Sequence, residues 1–214
     1  MPQSQEHKTT KGGVVVSTTL FLPAVKSRCT ITWQVRRADE VEMSLDLQAC
    51  PGSTPDIPRI GMVWPLPAAM RDVSWYGRGP TETYPDRMAA GGLGLWKSSV
   101  DAWVHSYHRP QENGNRSDVR WMRIGAKGGA SLRIEALDSM LAVNAWPWTQ
   151  DDLENTGSPW KLPHRNTVTM HIDHRQMGLG ADNTWGAKPY PPYTLSAGKR
   201  YTYSYRVSLM EPGH

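Results

Sequence analysis

Six carboxylates are candidates for opposing one another across a glycosidic bond: Glu82 with Asp86, Glu112, and the group Asp151, Asp152 and Glu154. Hydrolysis of such a bond needs two carboxyl groups about 5 to 10 Å apart. The same residues have a structural reading, which their neighbours favour. Arg78 and Arg87 flank Glu82 and Asp86, which predicts ion pairs that lock a loop, and the acids near 151 are placed to cap a turn. His171-Ile172-Asp173-His174 suggests a metal, since His171 and Asp173 would share one face of a strand. His174 would point away from them, and three or four convergent ligands are needed. His105 and His108 have the chemistry of an acid and base for sugar epimerisation, but flanking a strand end at Tyr107 they read as surface or structural histidines.

The run Gly178-Leu179-Gly180-Ala181-Asp182-Asn183-Thr184-Trp185-Gly186-Ala187-Lys188-Pro189 offers two chemistries. One is a phosphate cradle, because Gly178 and Gly180 open like G-x-G-x-x-G. It fails because Asn183 stands at the third glycine position, and Pro189, Pro191 and Pro192 forbid the helix whose N-terminus would hold the phosphate. The other is an arm that holds Trp185 against a ligand. No G-x-S-x-G or P-loop occurs, and neither Cys29 nor Cys50 sits in a nucleophile motif.

The elements that must position these residues read as strands. Residues 12–22 form a first one. Cys29, Ile31, Trp33 and Val35 alternate with polar residues, and Val41, Met43, Leu45, Leu47 and Ala49 do so after a short turn, which predicts a hairpin over residues 28–50. With Val35 opposite Met43, Cys29 faces Ala49 and Cys50 falls on the other side, so a disulfide between the two is disfavoured. Residues 56–67 have prolines at both ends and read as a short or edge strand. Residues 73–76, 91–96 and 100–107 read as strands, with 77–87 and 109–116 as polar loops. Residues 118–124 and 130–137 flank a Gly-rich hairpin turn. Thr149 and Asp152 have the spacing of a capping box and predict one helical turn. Residues 167–173 and 201–209 are strands on either side of the Gly-rich run. With Pro and Gly throughout and no sustained 3.6 period, the class is all-β, a large sandwich.

A chain of 214 residues carrying a net charge of +4, with its Lys and Arg scattered, indicates neither a nucleic-acid groove nor a membrane patch. There is no apolar run of spanning length, and residues 1–11 are polar with no apolar core, so neither a membrane helix nor a secretion signal is expected. The compartment is left open between cytoplasm and periplasm. Residues 1–13 read as a linker or domain edge and residues 14–210 as one domain. Ten tryptophans against one phenylalanine suit sugar stacking as well as core filling. Trp33 and Trp121, in strand patterns, read as core.

Four ordered stretches resemble one family. They are Pro58-Arg59-Ile60-Gly61-Met62; Trp75-Tyr76-Gly77-Arg78-Gly79-Pro80 with Glu82 and Tyr84-Pro85-Asp86-Arg87; Pro110-Gln111-Glu112-Asn113-Gly114-Asn115-Arg116; and Met177-Gly178-Leu179-Gly180 through Trp185-Gly186. Over about residues 57–209 the chain is similar to the C-terminal small-chain domain of family 2 β-galactosidases. The resemblance implies an antiparallel supersandwich related to galactose mutarotase. It also implies that the catalytic glutamates lie in a separate barrel domain or large subunit, so that this chain alone is inactive and supplies no cofactor. Trp185 matches the family's tryptophan that stacks on the aglycone, such as the glucose of lactose, with Asp182 and Asn183 in support. Ala181 and Thr184 stand where the family often has glycine and serine. Arg59, Glu82, Asp86, Arg87, Glu112, Asn113 and Arg116 are expected to be loop locks and domain contacts. Alternative readings are a free-standing carbohydrate-binding or mutarotase-like module on the same fold, and a purely structural assembly scaffold.

Overall fold

Side chains that alternate in type take opposite sides of an extended backbone, and that rule builds two facing sheets here. The computed structural model describes residues 2–10, 12–23, 25–50, 52, 54–183 and 186–212. In chain order it contains β1 (Pro2–Thr10), β2 (Gly13–Leu22), β3 (Ser27–Arg37), β4 (Glu40–Leu47), β5 (Arg59–Pro67), β6 (Met70–Gly79), β7 (Gly92–Ser99) and a short helix α1 (Val100–Trp103). There follow β8 (Arg116–Val119), β9 (Trp121–Ala126), β10 (Ser131–Ala136), β11 (Leu141–Trp146), helix α2 (Gln150–Asn155), β12 (Thr167–Gln176) and β13 (Tyr201–Met210). Nine strands form one sheet in the order β1-β2-β3-β4-β13-β10-β9-β6-β7, and four form the other in the order β5-β12-β11-β8. The pairings are antiparallel. No helix among the described residues is long and apolar enough to cross a membrane.

The core lies between the sheets. Met43, Leu45 and Leu47 of β4, Tyr203, Tyr205 and Val207 of β13, Met122 and Ile124 of β9, and Val73 and Trp75 of β6 meet Val168, Met170 and Ile172 of β12 and Leu141, Val143 and Ala145 of β11. A fully buried aliphatic side chain contributes about 1.5–3 kcal/mol, so this layer is the main source of stability. Polar tips inside it are satisfied across the sheets: Tyr203 Oη donates to the carbonyl of Ile172 at 2.9 Å, and Trp64 Nε1 donates to Tyr205 Oη at 2.8 Å.

Several local expectations are corrected. Residues 100–107 do not form a strand. The Ser99 hydroxyl accepts from the Ala102 amide and caps α1, which turns Val100 and Trp103 inward together and stacks Trp103 on Trp75 at 4.9 Å. In the hairpin Met43 pairs with Trp33 and Val35 with Val41, two residues from the expected register, so Cys29 faces Leu47. A shift of two preserves the faces, and both cysteines are buried and free. β6 runs on to Gly79, into the expected loop. A Cβ on Gly77 would come within 2.8 Å of Val119, and one on Gly79 within 2.9 Å of Trp75 and Trp96, so these glycines serve close packing. Residues 1–13 contain β1, the edge strand, which takes its backbone partners from β2. β11 has no counterpart in the sequence reading. Trp33 and Trp121 are half-buried, whereas among the described residues Trp75, Trp103 and Trp146 are the enclosed indoles.

The helical turn predicted at Thr149 is present as α2, with both bonds of the capping box formed by Thr149 and Asp152. Asp152 also binds Arg165 at 2.5 Å, and these donors hold its carboxyl down at about 2. Thr149→Ala removes one cap bond and is expected to lower stability by about 1 kcal/mol, read as a reduced urea midpoint with an unchanged m-value; no loss of midpoint would contradict the capping role.

Candidate functional site

In the four-stranded sheet β11 and most of β12 are buried on both faces. Val168, Met170 and Ile172 point to the core, so Thr169, His171 and Asp173 point outward beside Asn144 and Trp146 of β11. These outward residues are nevertheless buried. Loops cover them, and a buried polar layer needs internal partners.

Arg59, at the first position of β5, is the hub. Its Nη1 lies 2.7 Å from His171 Nδ1, its Nη2 donates to Glu112 Oε2 at 2.5 Å and to Gln176 Oε1 at 3.0 Å, and its Nε is 3.2 Å from Asp173 Oδ2. The guanidinium also lies 5.5 Å from the centre of the Trp146 ring. Gly61 makes this possible, because a Cβ there would sit 1.9 Å from Asp173 Oδ1. A guanidinium donates and never accepts, so His171 Nδ1 is the acceptor and Nε2 carries the proton. Burial, then the charge of Arg59, pushes the imidazole down to about 3. Burial raises Glu112 despite Arg59, and pushes Asp173 up to about 8.

The covering loops come from the two middle motifs. Glu112 Oε1 accepts from Tyr84 Oη at 3.2 Å and Asn144 Nδ2 at 3.3 Å. Glu82 accepts from the Gly114 amide at 2.8 Å and from Tyr107 Oη at 2.5 Å, and lies 3.8 Å from Arg87. Asn113 holds the His105 amide, and its carbonyl accepts from Trp146 Nε1 at 2.9 Å. Arg116 lies 5.3 Å and 5.0 Å from the rings of Trp75 and Trp103; burial lowers it to about 10. The expected Arg78 partner is corrected: Arg78 binds Asp118 at 2.5 Å, since Asp118 reaches it across the strands.

Asp86 instead serves the fourth motif. Its Oδ2 accepts from the Gly180 amide, and a Cβ on Gly178 or Gly180 would come within 2.8 Å of the Asp86 carboxylate group. The Gly178 amide donates to Tyr193 O at 2.8 Å, and Met177 N to Pro58 O at 3.0 Å. The stem of the Gly-rich run is thus fixed on two sides. Asp182 and Asn183 are exposed, and Asp182 accepts from Tyr190 Oη at 2.6 Å. Thr184 and Trp185 lie outside the described residues.

The remaining candidates do not converge. His171 and Asp173 share a face, but a guanidinium stands between them where a cation would sit, and His174 lies on the opposite side, 3.3 Å from Ser139 Oγ and stacked on Tyr203. Among the described residues no group of three or more His, Cys, Asp or Glu is arranged to hold a metal. His105 and His108 are exposed, with His105 against the ring of Tyr107. Of the acids near 151, Asp152 is committed to its cap, and Glu154 accepts from Gln150 at 3.0 Å. The hub itself was not legible in the sequence: the resemblance marked Arg59 and Glu112 as contacts without naming their partners, and residues 59, 112, 171 and 173 are too far apart in the chain for any spacing rule.

A two-sheet antiparallel sandwich of this order is the galactose mutarotase-like fold. Superposition on the galactose 1-epimerase of Lactobacillus acidophilus gives a TM-score of 0.51 at 9% identity, covering 98% of this chain and 66% of that one. A GH36 α-galactosidase from Geobacillus stearothermophilus gives 0.50 at 8% identity, covering 99% and 28%. Residues 2–207 match the beta galactosidase small chain family, and the chain belongs to that family. The β-galactosidase of Priestia megaterium is 38% identical over 195 residues, 91% of this chain and 19% of that protein, and that of Lactobacillus delbrueckii subsp. bulgaricus is 34% identical over 87% and 18%. The chain therefore spans about a fifth of the length of these relatives.

The Asp173 carboxyl, raised from 3.8 to about 8, binds its proton more tightly folded than unfolded, so its contribution favours folding at low pH and is lost as pH rises from about 4 to about 8. In Asp173→Asn that slope is absent. The stability difference, variant minus wild type, is expected to move in favour of the variant between denaturation near pH 5 and near pH 9. A difference independent of pH would refute the assignment.

Proposed function

We propose that this chain is the non-catalytic small-chain part of a family 2 β-galactosidase, completing the aglycone side of an active site whose catalytic glutamates lie in another domain or subunit. The observation that carries the reading is the clamped stem of residues 177–180. Asp86 and Tyr193 fix where the Gly-rich run leaves the sheet, which gives the segment leading to Trp185 a defined origin. A glucose ring presents C–H groups to an indole face, and such contact is favourable where water is displaced. Asp182 and Asn183 assist from the same segment. Several buried or loop-locking acids, Glu82, Glu112, Asp152 and Asp173, are engaged by structural partners, which supports leaving acid-base chemistry to the remainder of a protein about five times as long. The partners are that remainder and a β-galactoside such as lactose, and the role requires no cofactor from this chain.

Purified alone, the chain is expected to release no chromophore from an aryl β-galactoside; turnover by a sample free of contaminating galactosidase would overturn the proposal. In the complete enzyme, Trp185→Ala is expected to lower kcat/KM for lactose roughly fivefold more than for an aryl galactoside, since one lost ring contact is worth ~1 kcal/mol. An equal loss on both substrates would exclude the platform role.

A further inference from the structure

Exposed apolar side chains gather around the stem of the Gly-rich run. Val63 on β5 is 55% exposed, Leu179 41%, Tyr190 58% and Tyr193 37%, so each leaves a third or more of its surface to water. Their places are contiguous. Val63, Met177, Leu179 and Pro189 line one open groove of about 630 Å³ beside α2. The Gly178 amide donates to the Tyr193 carbonyl at 2.8 Å, and the Tyr193 amide donates to the Tyr190 carbonyl at 2.8 Å, which sets both tyrosines against the same stem. Gln150 and Glu154 of α2 rim the patch on one side and Asp182 on the other. A contiguous apolar patch with a polar rim marks a surface that another body covers, and Tyr and Met are the residue types enriched at the centres of such contacts.

The chemistry of the walls narrows what covers them. Arg59 is the one cation lining the groove, and Glu112 and Asp173 share it, so no positive charge is left over for an anion. What remains on offer is aliphatic and aromatic surface together with a strand edge. β5 ends its sheet and has β12 as its strand neighbour, with no strand on its other side among the described residues. A free edge presents N–H and C=O groups to an extended segment of polypeptide.

The occupant has a source. The matched part is 19% and 18% of the two relatives, so most of a complete protein lies outside it. The stem leads toward Trp185, which the aglycone role sends into that remainder, and a surface flanking the stem then faces the remainder too. We propose that this patch docks an extended segment of the remaining β-galactosidase polypeptide, its aliphatic or aromatic side chains seated on Val63, Leu179 and Tyr193 and its backbone along the free edge of β5. The proposal rests on the small-chain reading and adds where the contact lies and which chemistry makes it. It also gives the stem a second support, since Asp86 holds the Gly180 amide from within and the docked segment covers Leu179 from outside.

The test is hydroxyl-radical footprinting, read by mass spectrometry, on the complete protein and on the 214-residue chain alone. Labelling of Leu179, Tyr190 and Tyr193 is expected to fall at least about fivefold in the complete protein, as for side chains enclosed at the centre of an interface. Val63→Arg puts a charge into the contact and is expected to raise labelling of Leu179 and Tyr193 in the complete protein at least about threefold. The urea midpoint of the chain alone is expected to stay in place in that variant, because Val63 is exposed on an edge strand. Equal labelling of the two wild-type proteins overturns the proposal, and so does labelling indifferent to Val63→Arg. Two other occupants would also overturn it: a second copy, seen as protection of the isolated chain that grows with concentration alongside a dimer in sedimentation, and a sugar, seen as protection that appears only with added galactose or glucose. The kinetic contrast of Trp185→Ala is a separate readout. Protection without that contrast sinks the aglycone role and keeps the docking surface, whereas the contrast without protection sinks the docking surface alone.

Discussion

A single guanidinium holds the outer layer of this domain together. Arg59 bonds or pairs with His171, Glu112, Gln176 and Asp173 and lies over Trp146. Taking charges out of water costs several kcal/mol per ion, and the attraction between them offsets that only when geometry and hydrogen bonds are good. Removing Arg59 would leave the half-buried Glu112 and the buried Asp173 without their cation, and losing one partner of a buried pair costs about 3–5 kcal/mol. The cluster is therefore a constraint more than a source of net stability. It rewards one arrangement of the chain and penalises the others, while the apolar layer between the sheets supplies the stabilisation.

That constraint explains why motifs far apart in sequence converge in space. The four-stranded sheet has polar residues on its outer face at His171, Asp173 and Asn144, all buried. Something must cover them and satisfy them. Glu112 arrives on one loop to meet Arg59, Tyr84 on another to meet Glu112, and Glu82 binds the Gly114 amide to join the two loops. Once those loops are fixed, Asp86 stands where the Gly178–Gly180 backbone passes. Each link places the next, from β5 to the loop stem.

Sequence alternation exposed the elements with one face toward the core and one toward solvent. In β13, Tyr201, Tyr203, Tyr205 and Val207 are buried in turn, and the hairpin of β3 and β4 was equally readable apart from its register. β11 was not, because all six of its residues are buried and a strand enclosed on both sides loses its period. α1 was misread because a single turn is too short for its period to stand out: Val100 and Trp103 share a face only in a helix, and the deciding signal, the Ser99 cap, is a single residue. Thr149 and Asp152, by contrast, carried both halves of a box. The candidate site divides the same way. Local pattern placed His171 and Asp173 on one face, but that a cation from residue 59 would lie between them is a fact of tertiary pairing that neither spacing nor resemblance revealed.

The glycines of the 178–180 stem show how this packing bears on function. A glycine is usually credited with freedom, yet both lack room for a Cβ because the Asp86 carboxylate fills the space, and Gly180 donates its amide to that carboxylate. The residues thus permit close approach, which brings rigidity. Motion, where the role of Trp185 needs it, must begin beyond Gly180, where exposed Ala181, Asp182 and Asn183 are tied to the domain in part through Tyr190. A short segment on a fixed base searches less space than a long free loop and loses less conformational entropy on meeting a ligand. The proposed aglycone role would benefit from that arrangement, since the base fixes where the segment starts.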